Sequence, residues 1–272
     1  MRPLYLILAF ALAVFPAAAQ RRFARPQRSE APNTAAAKQT RNRNIFVGVG
    51  DAFMPYILNG EGAVTKIRLL NMETRPVSFT LYFVGDDGGP SNVELKDLTK
   101  VSKIDANIPA SGSTTIETSG RGKDQVLWAF FDADDARIGA TVSVELNDGG
   151  FINGSSYPAS NVLESLVRVP FDTTPGSDSG VNLVNLDVID AVVTVIVRDI
   201  DGNVLYSGTI ELPALGATDF YPLDVTDKAA GIRGSVEVSI PFNSEGGVAV
   251  NGIRFFDKGG IDLYPGFALP RN

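Results

Sequence analysis

The sequence repeats one long stretch, and this internal repeat limits the possible folds more than any other feature. Residues 66–89 (KIRLLNMETRPVSFTLYFVGDDGG) match residues 180–203 (GVNLVNLDVIDAVVTVIVRDIDGN) at a single offset, which aligns Asn71 with Asn185. A stretch that recurs in this way encodes the same arrangement of strands and turns twice. The sequence therefore predicts two homologous structural units in tandem.

A second pair of matching stretches indicates how far the two units extend. Residues 107–117 (NIPASGSTTIE) match residues 211–221 (ELPALGATDFY), but at an offset that is ten residues shorter. The first unit should therefore hold about ten additional residues, around positions 90–103. The turn-rich stretch NDGGFINGSSYPASN marks the join, so we expect one domain at residues 45–152 and the other at residues 153–272.

Apolar and polar residues alternate within both units. In RPVSFTLYFV and in SVEVSI every second residue is apolar, which is typical of a strand with one buried face. The side chains predicted to face the interior are Val77, Phe79, Leu81 and Phe83 in the first stretch and Val236, Val238 and Ile240 in the second. Turn-forming residues separate such runs. We therefore predict an all-β fold of two tandem antiparallel β-sandwich domains.

The first nineteen residues have the layout of a secretory signal peptide. Arg2 precedes an apolar run from Leu4 to Val14, and Ala17-Ala18-Ala19 follows that run. The run is shorter than the roughly 20 residues that a membrane-spanning helix needs, so we expect cleavage near Ala19 and no transmembrane segment in the mature chain. The expected location is secreted or periplasmic. The absence of cysteine makes export from a bacterium the simplest interpretation.

Charge is distributed unevenly along the rest of the chain. Residues 20–44 carry seven basic residues and one acidic residue, a net charge of +6, whereas residues 45–272 carry −14. Because residues 20–44 contain few apolar side chains, we predict a disordered basic arm. One hypothesis is that this arm attaches the protein to an anionic surface; the alternative is a solvated tether that lies on the acidic domains. An arm-deleted protein that bound anionic vesicles as well as the intact one would contradict attachment.

Two residue types that are common in enzyme active sites are missing, because the chain has no histidine and no cysteine. Histidine-activated serine or cysteine nucleophiles, and zinc sites of nitrogen and sulfur ligands, are therefore excluded. Asp178-Ser179-Gly180 matches the aspartic peptidase signature, but nearby Asp172-Thr173-Thr174 lacks the glycine needed for a second such loop. We interpret this stretch as a loop between strands and predict that the protein is not an enzyme. A carboxylate-based hydrolase is the remaining catalytic alternative.

Two groups of acidic and amide side chains raise the question of a calcium site. The candidate ligands are Asp199, Asp201 and Asn203 in one group and Asp132, Asp134 and Asp135 in the other. Calcium accepts irregular sets of oxygen ligands, and no other cofactor is expected. The repeat aligns Asp201-Gly202 with Asp87-Gly88, and predicted strands flank both pairs, so we interpret the first group as a hairpin tip. A solvated turn is the corresponding interpretation of the second group.

Aromatic side chains could provide a sugar-binding surface. Trp128 lies in the apolar run QVLWAFFD, where packing between the sheets of a sandwich is its expected role. Tyr82 has the opposite parity to the inward-facing residues of its strand and should face solvent or the neighbouring domain. The tyrosines near predicted turns are Tyr157, Tyr206, Tyr221 and Tyr264. A carbohydrate-binding module that uses such rings is therefore an alternative function.

The second unit resembles a module of exported bacterial proteins. The pattern comprises NLVNLDVIDAVVTVIVRDIDGNVLYSG, then LPALG, IRGSVEVSI and VAVNGIRF. The resemblance covers residues 176–265 well and residues 62–152 loosely, because the first unit has the insertion and carries residues 128–131 (WAFF) where the second has 236–239 (VEVS). It implies immunoglobulin-like or fibronectin-like sandwiches in a secreted, non-catalytic protein, and it implies no functional residues.

Together these features predict a structural, adhesion or binding role at the bacterial cell envelope. The expected partners are envelope polysaccharide, an anionic surface or another protein. Nucleic acid is not an expected partner of residues 45–272, because phosphate contacts need clustered basic side chains and this part of the chain is acidic.

Overall fold

Antiparallel β-strands make up nearly all of the regular structure. The computed structural model describes residues 51–97, 100–134, 136–148, 151–160, 165–240, 247–257 and 259–269. The predicted signal peptide, the basic arm and Asp135 lie outside these residues. Within the described ranges, no helix has the length and apolar character that crossing a membrane requires.

Residues 52–158 form the first structural repeat, a sandwich of two four-stranded sheets. Its strands are β1 (Ala52–Asn59), β2 (Ala63–Asn71), β3 (Val77–Val84), β4 (Val93–Glu94), β5 (Lys100–Val101), β6 (Lys103–Ile108), β7 (Ser113–Glu117), β8 (Gln125–Asp132), β9 (Ile138–Asp148) and β10 (Phe151–Pro158). One sheet has the order β1-β8-β3-β6 and the other the order β10-β9-β2-β7. Pro55 lies in the edge strand β1, where the pairing with β8 shifts between Met54 and Ile57, because proline has no N–H for the ladder.

Residues 166–265 form the second structural repeat. Its strands are β11 (Leu166–Asp172), β12 (Ser177–Asn185), β13 (Ala191–Asp199), β14 (Val204–Leu212), β15 (Ala217–Phe220), β16 (Arg233–Ser239), β17 (Val248–Phe256) and β18 (Gly260–Pro265), followed by β19 (Phe267–Ala268). A short helix, α1 (Pro222–Val225), and a 3₁₀ turn (Asp227–Ala229) precede β16. The two sheets have the orders β14-β13-β16-β11-β19 and β15-β12-β17-β18.

Both repeats have the same strand order. Strands β11, β16, β13 and β14 take the places of β1, β8, β3 and β6, and β18, β17, β12 and β15 take those of β10, β9, β2 and β7. The predicted all-β sandwich architecture is therefore confirmed. Within it, the first strand of each repeat pairs with the sixth of eight principal strands. In the immunoglobulin order, by contrast, the first strand pairs with the second.

Two features of the first repeat bear on its predicted limits. Strands β4 and β5 pair with each other as a separate two-stranded sheet, and they occupy the range predicted to hold the insertion. Strand β10 spans the predicted boundary between residues 152 and 153 and belongs by its pairing with β9 to the first repeat. The division of the chain into separate domains stays a prediction.

Each sandwich has an apolar core formed by the inward side chains of its two sheets. The residues of β3 in this core are Val77, Phe79, Leu81 and Phe83, and those in and after β16 are Val236, Val238 and Ile240. The alternation in the sequence therefore predicted the core positions correctly. The intervening residues of β3, such as Thr80 and Tyr82, project from the opposite face of the sheet.

A buried asparagine ends the second principal strand of each repeat. The side-chain amide of Asn71 donates to the carbonyls of Arg75 and Pro109 at 2.8 and 2.9 Å, and its Oδ1 accepts from the Glu73 N–H at 2.8 Å. This amide satisfies backbone groups from two different loops, which no apolar side chain could do. Asn185 makes the same set of bonds in the second repeat.

The two repeats pack against each other through an apolar interface. Its buried cluster contains Phe53, Val84, Trp128 and Phe130 of the first repeat and Val184, Leu186, Ala217 and Ala249 of the second. Strand β8 is therefore buried on both faces, which explains the unbroken apolar run in its sequence. Trp128 packs between the repeats and not between the two sheets of one sandwich, which corrects the role predicted for it.

Polar contacts fix the orientation of this interface. The Trp128 indole N–H donates to the Leu215 carbonyl at 2.9 Å, and the Ala217 N–H donates to the Asp86 carbonyl at 3.0 Å. Gly88 has φ +80°, and a Cβ at this position would lie 1.9 Å from the Ala214 carbonyl oxygen. The Asp-Gly turn of the first repeat therefore needs glycine both for its backbone conformation and for its contact with the second repeat.

Two edge strands also meet at the interface. The Ser155 hydroxyl of β10 accepts from the Leu263 N–H of β18 at 2.9 Å and lies 3.3 Å from the Leu263 carbonyl, to which it donates. A side chain thus satisfies backbone groups that a free strand edge would expose. This contact protects both edges from pairing with another chain.

The structure corrects the alignment of β8 with β16 by one residue. Phe83 of the first repeat and Val197 of the second occupy aligned positions, and their partners across the ladder are Ala129 and Val236. Trp128 therefore corresponds to Ser235, and not to Val236 as the sequence comparison indicated. A shift of one residue moves every side chain to the opposite face of the sheet, so this correction separates interface positions from core positions.

Candidate functional site

A polar groove lies on the outer face of the β1-β8-β3-β6 sheet, beside the part that the second repeat covers. Its volume is about 560 Å³. The polar side chains that line it are Ser78, Thr80, Asp105, Asn107, Asp132 and Asp134. Three adjacent strands and one turn therefore contribute to a single open site.

The strand register brings these side chains together. Thr80 pairs with Asp132 of β8 on one side and with Asp105 of β6 on the other, so that the three side chains form a row across the sheet. Ser78 precedes Thr80 on the same face and pairs with Asn107. The residues of β3 that alternate with Ser78 and Thr80 point into the core, and this anchoring fixes the backbone of the groove.

The groove is anionic at neutral pH. The Thr80 hydroxyl donates to Asp105 Oδ1 at 2.8 Å, and Lys103 Nζ lies 3.2 Å from Asp105 Oδ2. These two interactions, the Thr80 hydrogen bond first, lower the pKa of the Asp105 carboxyl. Asp132 Oδ1 accepts from the Asp134 N–H at 3.1 Å, which holds the turn against the sheet. Such a surface can hydrogen-bond hydroxyl groups and can attract cationic groups.

An aromatic stack borders the groove on the side of the second repeat. Tyr82 follows Thr80 on the same face of β3 and stacks on Phe130, with ring centroids 4.7 Å apart. Phe130 in turn stacks on Trp128 at 5.4 Å. Tyr82 is half-buried and packs against the cluster between the repeats. Its predicted outward orientation is thus correct, and its ring position is fixed by the stack.

The two candidate calcium groups lie in different places. Asp132 and Asp134 belong to the groove of the first repeat, whereas Asp199, Asp201 and Asn203 form the turn between β13 and β14. Asp135 is outside the described residues. Among the residues that are described, no group of three or more acidic, histidine or cysteine side chains is placed to hold a metal ion.

The hairpin tip uses the oxygens of Asp199 internally. Asp199 Oδ1 accepts from the N–H groups of Asp201 and Asn203 at 3.0 and 2.8 Å, and Oδ2 accepts from the Asn203 side-chain amide at 2.9 Å. The Asn203 bond is the largest of the contacts that lower the pKa of Asp199. Gly202 has φ +87°, which a tight hairpin turn requires. The carboxylate therefore stabilises the turn from within.

We expect millimolar calcium to leave the melting temperature of the protein unchanged. A ligand that binds only the folded state must raise its stability, and the Asp199 oxygens would have to leave their present donors to bind an ion. Thermal unfolding with calcium, and again with EDTA, measures this. A calcium-dependent rise that the Asp199→Asn substitution removes would assign a metal site to the hairpin tip, and one removed by Asp132→Asn would assign it to the groove.

The stretch that matches the aspartic peptidase signature forms part of a structural network. Arg233 Nε lies 2.9 Å from Asp172 Oδ2, and the Thr174 hydroxyl and N–H both donate to Asp172 Oδ1. Burial alone would raise the pKa of Asp172, but these donors outweigh it and lower the pKa. The Ser179 hydroxyl bonds to the backbone of Asp172. A carboxylate held ionised by arginine is unsuited to share a proton with a second aspartate.

Two of the tyrosines predicted to lie near turns, Tyr157 and Tyr221, are buried and therefore unavailable for sugar stacking. Tyr206 and Tyr264 are half-buried in β14 and β18 and pack against the core of the second repeat. The Tyr157 hydroxyl donates to the Tyr56 carbonyl at 2.5 Å, and burial raises its pKa. Tyr157 and Tyr221 thus do not belong to a surface set of aromatic rings.

Sequence reasoning identified Asp132 and Asp134 but missed the other polar residues of the groove. The signal was present in the alternation of β6 (KIDANI), whose outward positions are Lys103, Asp105 and Asn107. Strand order could not be read from the sequence, however, so nothing indicated that β6 and the end of β8 flank β3.

A scan against models of known protein families gives no match to this chain, and a search of curated proteins gives none either.

The carboxyl group of Asp124 has a raised pKa and lies at the end of β8 that is opposite the groove. Burial, together with the nearby Glu61 carboxylate, raises the pKa of Asp124 from 3.8 to about 6. Because the folded-state pKa lies above the unfolded-state value, the associated stability is fully present below about pH 4 and is lost as the pH rises through 6. We expect Asp124→Asn to remove this part of the pH dependence and to raise the melting temperature at pH 7. Melting curves of both proteins from pH 4 to pH 8 test this; parallel curves would contradict it.

Proposed function

We propose that the protein is a secreted or periplasmic, non-catalytic β-sandwich protein that binds a component of the bacterial cell envelope through its polar groove. The observation that carries this proposal is the row formed by Asp105, Thr80 and Asp132 across three paired strands. Side chains held on a sheet present their hydrogen-bonding groups in a fixed arrangement, which reduces the entropy lost on binding.

The chemistry of the groove favours a polysaccharide among the expected partners. Carboxylate, carboxamide and hydroxyl groups can together donate to and accept from the hydroxyl groups of a sugar. An anionic surface is a poor ligand for the groove itself because Asp105 is held in its ionised form. Attachment to such a surface belongs to the basic arm, which lies outside the described residues and for which attachment stays a prediction.

We expect Asp105→Asn combined with Thr80→Val to weaken binding to purified envelope polysaccharide by roughly tenfold or more. The double change removes one charge and one hydroxyl from the centre of the row, and a hydrogen bond to a charged group contributes roughly 1.5–3 kcal/mol. Titration calorimetry or cosedimentation with isolated cell-wall material measures the change. Asp201→Asn is the matched control, because it alters an exposed carboxylate at the hairpin tip of the second repeat.

Equal binding by the groove variant and the wild type would contradict a groove site. The same samples test the non-catalytic part of the proposal, because a hydrolase would release soluble sugar fragments over time. Release that Asp132→Asn abolishes would favour a carboxylate-based hydrolase instead.

One observation favours carbohydrate binding through an aromatic ring as a second candidate. Tyr82 lies two residues beyond Thr80 on the same face, and Phe130 fixes its ring beside the groove. Sugars stack on such fixed rings while polar groups bind their hydroxyls. Under this alternative, Tyr82→Leu weakens polysaccharide binding while Tyr206→Leu does not. Equal binding by the wild type and by the Tyr82→Leu protein would count against it.

A further inference from the structure

Corresponding sheet faces of the two repeats differ in how far they are buried. In the second repeat Val184, Leu186, Ala217 and Ala249 project from the β15-β12-β17-β18 sheet and are buried against the first repeat. The ladder of the first repeat places Leu70, Met72, Ser113 and Gly139 at the aligned positions. The docking face in use is thus the one on the second repeat, and the first repeat has an aligned face at the same place in its own sandwich.

On the first repeat this face exposes two large apolar side chains. Leu70 is 49% exposed and Met72 is 57% exposed, whereas the aligned Val184 and Leu186 are buried. Met72 lies over Gly139, and its sulfur would be 3.7 Å from a Cβ at that position. The rest of the face is polar, because Lys66 pairs with Glu145 further along the sheet. The apolar area is therefore a small patch at one end of β2.

We propose that this patch, formed by Leu70 and Met72, is covered by residues 45–50 of the same chain. This segment, IFVGVG, immediately precedes the first described residue and contains four large apolar side chains, Ile45, Phe46, Val47 and Val49. Phe46 would take the role that Trp128 and Phe130 have at the docking face in use.

Patch size favours a covalently attached occupant over a separate one. A stable interface between two proteins buries roughly 800 Å² on each partner, far more than two side chains can supply. A tethered segment binds at an effective concentration in the millimolar range, so a small contact suffices. Leaving the four large apolar side chains of this segment in water is also unfavourable, since burial of apolar surface lowers the free energy.

The segment is long enough to reach the patch. Phe53 of β1 bridges Ser160, which follows β10; β10 pairs with β9, and β9 pairs with β2, the strand that carries Leu70. The start of β1 is thus about three strand spacings, or roughly 14 Å, from the patch. Six extended residues span roughly 20 Å.

A second copy of the chain is a poorer occupant. Pairing of two copies in the manner of the two repeats would need a free apolar face like that of Phe53, Val84 and Phe130. The aligned positions of the second repeat are Arg168, Arg198 and Glu237, which form ion pairs with one another. The free energy needed to desolvate these charges against Leu70 and Met72 would exceed the stabilisation gained by burying the small patch.

Methionine oxidation provides a direct test. The mature chain contains two methionines, Met54 and Met72, and Met54 is fully buried. Dilute peroxide oxidises accessible methionines faster than buried ones, and mass spectrometry measures each site separately. We expect Met72 to be oxidised roughly threefold faster or more in a Phe46→Ser, Val47→Ser protein than in the mature wild type. Phe23→Ser, in the basic arm, is the matched control and should leave the rate unchanged.

Three results would overturn the proposal. The first is equal oxidation of Met72 in the wild type and the double variant. The second is equal acceleration by Phe23→Ser, which would indicate a nonspecific effect of the arm. The third is protection of Met72 that grows with protein concentration, which would assign the patch to a second copy. Met54 reports on folding in every sample, because its oxidation requires unfolding of the core. The readout involves no ligand, so it is independent of the groove proposal.

Discussion

Replacing Trp128 by alanine should lower the free energy of unfolding by about 3–5 kcal/mol, the range for removing a buried tryptophan. The side chain is 0% exposed and lies at the centre of the cluster between the repeats. Its indole N–H also donates to the Leu215 carbonyl, and Leu215 has the unfavourable backbone angle φ +56°. Loss of the ring leaves a cavity, an unpaired carbonyl and a strained loop without its contact. Denaturant unfolding followed by circular dichroism measures the change.

Two further variants separate the causes. Trp128→Phe keeps most of the apolar contact and loses the hydrogen bond, so we expect a loss of roughly 1–2 kcal/mol. Ser235→Ala changes the aligned position of the second repeat, which is not covered by another repeat, and should cost less than about 0.5 kcal/mol. If Trp128→Ala cost less than 1 kcal/mol, the contact between the repeats would contribute little to stability, and the predicted division into independent domains would be favoured.

Replacing Asn185 by alanine should destabilise the protein by roughly 2–4 kcal/mol. Its amide bonds the Ile189 and Pro213 carbonyls, and its Oδ1 accepts from the Asp187 N–H. The side chain is 1% exposed, so water cannot easily replace these partners. The buried backbone groups that lose a partner account for the expected loss. Thermal and denaturant unfolding measure it.

The first repeat supplies an independent copy of this experiment. Asn71→Ala removes the corresponding bonds to Arg75, Pro109 and Glu73 and should have an effect of similar size. Asn107→Ala is the control, because Asn107 is exposed in the groove and, among the described residues, its side chain makes one long hydrogen bond, 3.4 Å to Ser78. Unchanged stability in both buried variants would show that the loops find other donors, and the aligned asparagines would then need another explanation.

The aligned asparagines also show what could be predicted from the sequence and what required the structure. Comparison of the repeats aligned Asn71 with Asn185 but gave no reason why asparagine recurs there. The reason lies in loops far apart in sequence, because each amide joins the end of a strand to a turn about 28 to 38 residues away. A side chain that satisfies carbonyls from two loops can be recognised only after the loops are placed.

The groove shows the same limit. Asp132 and Asp134 stood out as an acidic turn, and the alternation of β3 placed Thr80 on the outer face. Their combination with Asp105 depends on strand β6 pairing with β3, across a connection that includes the inserted β4-β5 sheet. Sequence alternation determines which face a side chain occupies, but it carries no information about which strand lies beside it.

The strands, their inward faces and their duplication could be predicted, because each of these follows from local periodicity and from comparison of one stretch with another. The strand order, the packing of the repeats against each other and the groove could be seen only in the folded chain. Those depend on contacts between residues distant in the chain. Trp128 is the clearest case: its apolar surroundings predicted burial, but burial between repeats and burial within a sandwich differ by one residue in register, and only the paired strands distinguish them.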